Sequence, residues 1–188
     1  MKHKEWNSME QIKPGDYIFI SGYAGLEGTF EILKRQEERL KAHYASSFLR
    51  EIQKKAETLH LPKQKEVASY FQDAYIKELS EGGIYQALYK MAMSQKVGFD
   101  IDIFKIPILQ ETIELCELFR INPYQFNSGG SYLIIANPKK EEIKHLIEED
   151  GFLQLIGVIT ESPDKLIRSG DEVKHLQRPV LNEIEKIK

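Results

Sequence analysis

Three short runs carry the residue types best suited to chemistry in this 188-residue chain: GYAGLEGT at 22–29, SEGG at 80–83 and NSGG at 127–130. Glycine leaves backbone N–H groups unshielded. A glycine loop that opens a helix aims several unpaired donors, and the positive end of the helix dipole, at one point, which suits a phosphate or carboxylate. On this argument Gly25, Gly28, Thr29, Ser80, Gly82, Gly83, Ser128 and Gly129 are the candidates for holding a phosphate or other anion. The same residues also admit an architectural reading, in which glycine supplies positive φ angles in turns and Thr29 and Ser80 cap the helices that follow. Neither GxGxxG nor GxxxxGK followed by Ser or Thr occurs, so the loops make neither a dinucleotide fingerprint nor a Walker-type P-loop.

Other reactive side chains are sparser. His3, His43, His60, His145 and His175 are scattered, with no pair at the spacing of a helical zinc site, and no metal site is expected. Asp100 and Asp102 fall on one face of an alternating segment, where they could chelate a cation, act as an acid/base pair or simply face solvent. Cys116 sits among Leu115, Leu118 and Phe119 and reads as a small packing residue rather than a nucleophile. As the chain's one cysteine, it allows no intramolecular disulfide, which fits a reducing cytoplasm. Tyr85 and Tyr89 lie one helical turn apart and belong to a packing surface.

The elements that must position these loops follow from periodicity. A turn at Lys13-Pro14-Gly15-Asp16 leads into a strand at 17–20, and the glycine loop after it enters a charged helical stretch, one long helix or a broken pair, that stops near His60 before Pro62. A helix at 66–73 and a strand at 74–77 precede the SEGG run. That run opens a helix with Ile84, Ala87, Leu88, Met91 and Ala92 on one face. The segment 97–103 alternates with the period of a half-buried strand, and Pro107 introduces a helix at 110–119. The NSGG loop precedes a strand at 132–136, and Pro138 starts a charged helix through 149. Strands at 152–160 and 165–168, joined by Ser162-Pro163-Asp164, are expected to form a hairpin. Strands alternating with helices on this scale predict an α+β class fold, a layered α/β domain with a mixed sheet flanked by helices. Residues 1–12 read as an N-terminal tail and 13–188 as one domain.

Composition narrows the partners. Hydrophobic residues at 41% suffice for a packed core, and 26 Lys and Arg against 29 Asp and Glu give a charge of −3, which offers no field to attract nucleic acid. The polar start of the chain lacks a secretory core and no run approaches the length of a membrane span, so a cytoplasmic protein without membrane association is expected.

Several motifs carry a family resemblance. GDYIFISGYAGLEGT at 15–29 resembles the strand and GLEGT loop that begin the C-terminal domain of aminoimidazole ribonucleotide (AIR) synthetase-related proteins. SEGGIYQALYKMA at 80–92 resembles that family's TEGG helix, and VGFDIDIFKIPI at 97–108 the strand and IPI turn behind it. ETIELCELFRINPYQFNSGGSYLI at 111–134 is similar to the helix and serine-glycine loop of the hydrogenase maturation factors in the same superfamily. The resemblance implies a mixed sheet flanked by helices that, in longer relatives, packs against an ATP-binding N-terminal domain with the active site between the halves. Two positions depart from the pattern. Lys77-Glu78 stands where relatives often carry His-Asp, and the tail VLNEIEKIK lacks the reactive cysteine of the maturation enzyme, without which thiocarbamate chemistry has no thiolate.

The resemblance thus implies a non-catalytic or partner-dependent module with an anion-binding glycine surface. Such a module would work as a homo-oligomer or with a separate ATP-binding subunit on a phosphorylated small molecule, taking ATP and Mg²⁺ only where that partner supplies the rest of the site. The alternative is an ATP-dependent ligase or dehydratase rebuilt in an oligomer.

Overall fold

The computed structural model describes residues 12–71, 73–139, 142, 143, 145, 147, 151–179 and 183–187. Seven strands form one sheet: β1 (Tyr17–Ser21), β2 (Ala74–Glu78), β3 (Gly98–Asp102), β4 (Tyr132–Ala136), β5 (Leu153–Thr160), β6 (Lys165–Ser169) and β7 (Glu172–His175). Their order is β2-β4-β1-β5-β3-β6-β7. β3 and β6 run parallel and the other neighbours antiparallel, so the sheet is mixed, as expected. The α-helices whose bounds fall within the described residues are α1 (Leu26–Arg35), α2 (Glu37–His43), α3 (Ser46–Thr58), α4 (Gln64–Ser69), α5 (Gly83–Gln95) and α6 (Gln110–Phe119).

Alternation along the strands sends side chains to two different cores. Ile18 and Ile20 of β1 and Leu133 and Ile135 of β4 pack beneath Ile84, Leu88 and Met91 of α5. Phe19 of β1 and Ile134 and Ala136 of β4 face the other way, against Val67 of α4. β4 is buried along its whole length because both of its faces are covered, which explains the unbroken apolar run YLIIA. A third core, formed by Ile32, Leu40, Ile52, Leu115, Phe119 and Phe126, binds α1, α2, α3 and α6 into a helical layer. Ile12 is 3% exposed and joins the α5-side core; residues 1–11 lie outside the described residues.

The charged stretch after the first glycine loop is broken into α1, α2 and α3, and the last of these ends at Thr58, close to the expected stop. α4 begins and ends earlier than the helix expected at 66–73. Of the helix expected at 138–149, residues 142, 143, 145 and 147 are helical, and 140, 141, 144, 146, 148 and 149 lie outside the described residues.

Two expectations are corrected. β5 and β6 do not pair, because β3 lies between them in the sheet. Ser162-Pro163-Asp164 does reverse the chain, but the Asp164 carbonyl accepts the Phe99 N–H at 2.9 Å. Gly98, lacking a Cβ that would strike the carbonyls of Ser162 and Asp164, lets β3 enter the gap. Thr29 and Ser80 are not caps. Gly25 and Gly82, at φ 72° and 81°, are the residues preceding α1 and α5, and Thr29 lies inside the first turn of its helix.

Candidate functional site

The three glycine loops meet at one place, where the ends of β1, β2 and β4 face the starts of α1 and α5. The Gly25 N–H donates to Ser128 Oγ at 2.8 Å and the Gly28 N–H to the Asn127 carbonyl at 2.9 Å. The Ser80 carbonyl accepts from Gly83 at 2.9 Å and from Ser128 at 3.4 Å, tying the SEGG and NSGG loops together. Thr29 Oγ1 donates to the Gly25 carbonyl at 2.9 Å and accepts from the Thr112 hydroxyl at 2.8 Å, which joins α1 to α6. Gly83 is packed so tightly that an added Cβ would lie 2.6 Å from the carbonyl oxygens of Tyr124 and Phe126. All eight sequence candidates therefore belong to one connected junction. Gly25, Gly28, Thr29, Gly82, Gly83 and Ser128 are buried, Gly129 is half-buried and Ser80 exposed.

Most of the junction's glycine donors are already engaged by the loops themselves. The amides left open are those of Leu26 and Glu27 at the start of α1 and of Ile84 and Tyr85 at the start of α5, which find no acceptor among the described residues. The donors available to an anion thus lie one or two residues beyond the glycines, as expected for the first turn of a helix. Two carboxylates border them. Glu78 Oε1 accepts the Gly130 N–H at 3.2 Å, and the Glu27 carboxylate occupies the space beside Gly129 that a Cβ would fill.

Several residues of this junction escaped the sequence reading. Ser131 Oγ accepts the Tyr23 N–H at 2.9 Å and donates to the Tyr23 carbonyl at 3.0 Å, bracing the first loop. Thr112 and the Phe126 ring lock α1 from below; Gly28 has no room for a Cβ against that ring. Ser131 directly follows the glycine pair, so its place beside the loop was the available signal. Thr112 sits in an ordinary helix and offered none.

The remaining candidates are structural. Asp100 is bound by Arg168 through Nε at 2.7 and 2.9 Å and Nη2 at 2.5 Å. Asp102 accepts the Phe104 N–H at 3.0 Å, and no three His, Cys, Asp or Glu side chains converge as a metal site among the described residues. Tyr85 stacks on Tyr124 rather than on Tyr89, with ring centres 5.2 Å apart. Burial, and secondarily the nearby Glu183, pushes the Cys116 thiol up to about 12, so it stays protonated and unreactive at neutral pH.

Two cavities among the described residues are lined by none of the eight glycine-loop candidates. A groove of about 660 Å³ runs along α1, α2 and α3, where Lys41 already pairs with Glu37 at 2.7 Å. The other, of about 550 Å³, lies between Tyr85 of α5, β6, β7 and the C-terminal segment.

A mixed antiparallel-rich sheet flanked by helices, with strand–glycine-loop–helix junctions gathered at one end, defines an α+β domain. The match of residues 13–168 to the family model for AIR synthase related protein, C-terminal domain, makes the chain a member of that family. It is 27% identical over 131 residues to the carbamoyl dehydratase HypE of Rhizobium leguminosarum bv. viciae, covering 69% of this chain and 35% of that protein. It is 24% identical over 137 residues to a hydrogenase expression/formation protein of Methanocaldococcus jannaschii, covering 73% and 38%. The chain thus spans little more than a third of these relatives.

Solved structures share the fold. The hydrogenase maturation protein HypE of E. coli aligns over 100% of this chain and 56% of its own, with a TM-score of 0.68 at 16% identity. HypE in a complex of HypE with HypF aligns over 90% and 55%, with a TM-score of 0.65 at 18% identity. No described helix is long and apolar enough to cross a membrane.

Proposed function

We propose that this domain is a partner-dependent module, non-catalytic by itself, that contributes an anion-holding helix-start junction to a site completed by an ATP-binding subunit or domain. The observation that carries the reading is the convergence of three glycine loops that leaves the first-turn amides of α1 and α5 open, while no metal-binding carboxylate cluster accompanies them among the described residues. Backbone donors at two helix starts suit a phosphate or carboxylate. A nucleotide's Mg²⁺ needs oxygen ligands from elsewhere. The partner is either a second copy or a separate ATP-binding protein, the ligand a phosphorylated small molecule, and the compartment the cytoplasm. A relative solved as a HypE–HypF complex supports assembly with another protein.

A second reading, an ATP-dependent ligase or dehydratase rebuilt in an oligomer, is favoured by the similarity to a carbamoyl dehydratase. Calorimetry separates the two. The module reading expects no heat from millimolar MgATP added to the chain alone, whether monomer or oligomer; the enzyme reading expects stoichiometric binding by the oligomer. Native mass measurement supplies the other arm, since a strict monomer both in cell extract and after purification would sink the partner-dependent reading.

A further inference from the structure

The cavity beside the C-terminal segment uses none of the eight glycine-junction candidates, and its volume of about 550 Å³ lies in the range that holds small organic ligands. Its apolar lining includes Tyr85, Ile103, Ile167 and Leu176. The Tyr85 ring, 8% exposed, is fixed by stacking on Tyr124 at an interplanar angle of 14°, so its part of the cavity wall is rigid. Lys174, Arg178 and Lys186 bring three cations to the same space.

Among the described residues one carboxylate lines the cavity, and it is already engaged. Glu183, 3% exposed, accepts the Asn122 N–H at 3.0 Å and holds Lys186 Nζ at 2.6 and 2.8 Å, so it offsets Lys186 within the wall. Lys174 is paired at 2.9 Å with Glu172, at the exposed edge. Arg178 has no hydrogen-bond or ion-pair partner among the described residues. Three of the chain's 26 Lys and Arg side chains thus border one partly apolar hollow, and of these the Arg178 guanidinium has no counter-ion among the described residues. Guanidinium is the side chain whose planar fork grips a carboxylate or phosphate with two hydrogen bonds.

We propose that this cavity binds a small anionic molecule with a flat apolar body, its carboxylate or phosphate held by Arg178 with Lys174 and its body lying against Tyr85, Ile103 and Ile167. The site is independent of the glycine junction, although α5 contributes to both.

The test is an amide NMR titration of the full chain with benzoate and phenyl phosphate, and with phenol and inorganic phosphate as partial probes. At least one of the two aromatic anions should move the amides of Ile103, Ile167 and Leu176 saturably, and the better of them identifies the charged group. Phenol and inorganic phosphate should bind about ten-fold or more weaker. Arg178→Gln, at an exposed position that leaves the fold intact, should weaken the aromatic anion about ten-fold and leave phenol unchanged. Unaltered affinity in Arg178→Gln overturns the proposal, as does the absence of saturable shifts with either anion. Shifts confined to Leu26, Glu27 and Gly130 also overturn it, and would instead favour the glycine junction as the anion site.

Discussion

Glycines that look alike in the sequence do different work in the junction. Gly83 has φ +59°, and a Cβ there would press on two backbone carbonyl oxygens that cannot move without dragging the 123–126 turn. Gly129 meets only the end of the Glu27 side chain, which can swing away. Gly83→Ala is therefore expected to lower unfolding stability by roughly 2–4 kcal/mol, combining the left-handed penalty with the clash. Gly129→Ala should change it by less than about 0.5 kcal/mol. Urea denaturation of both variants checks this, and equal losses would mean that the carbonyls around Gly83 yield as easily as a side chain. The sequence marked both residues as members of glycine loops but could not rank them. Their neighbours are distant in the chain: the Gly25–Ser128 bond spans 103 positions and the Gly130–Glu78 bond 52. For the same reason it pointed to the glycine amides, when the loops consume most of those on one another.

At the scale of elements, what a segment becomes was more legible than what it sits beside. α6 and β4 occupy the expected residues because their patterns are local: a helical period after Pro107 and an apolar run after a glycine pair. β7 went unread because all four of its residues are exposed and carry no alternation, so only its pairing with β6 makes it a strand. The β5–β6 reversal was visible in its turn residues, but the intrusion of β3 depends on glycines whose use lies across the sheet. Gly157 is one of these: it stands in β5 where a Cβ would strike the Asp100 carbonyl and Ile101 of β3. Local propensity predicts that Gly157→Val strengthens β5, since valine favours strands. The sheet predicts the reverse, a loss of more than about 3 kcal/mol, because β3 could no longer approach. Thermal unfolding decides between them: a raised midpoint would show that β3 is free to shift.

At the scale of the whole molecule, the fold places Cys116 and several tyrosines, Tyr85 foremost, where burial penalises their charged forms, and this sets how it responds to alkali. Cys116, 3% exposed within the helical layer, is pushed up to about 12, chiefly by burial and further by Glu183. Tyr85, 8% exposed in the first turn of α5, is raised above the ordinary tyrosine range by burial and by Tyr124. Both groups are neutral when protonated, and both have folded values above their unfolded ones, so in alkali the unfolded chain loses these protons before the folded chain does. Stability is then fully present below pH ~8.5, where unfolded cysteine begins to ionise, and falls as pH rises, by up to about 1.4 kcal/mol per pH unit for Cys116. Above pH ~10, where unfolded tyrosine also ionises, the slope should steepen further, because burial raises Tyr85 together with Tyr44, Tyr75, Tyr124 and Tyr132. Urea midpoints measured at pH 7, 8.5, 9.5 and 10.5 should be level between the first two and then drop with increasing steepness. Cys116→Ala will lower every midpoint by removing packing, so the informative quantity is its slope: the fall between pH 8.5 and 10 should disappear while the steeper fall above 10 remains. A wild-type midpoint that holds level to pH 10.5 would mean that the helical layer opens enough for water to solvate the thiolate, and that Cys116 is no longer the inert packing residue its burial makes it.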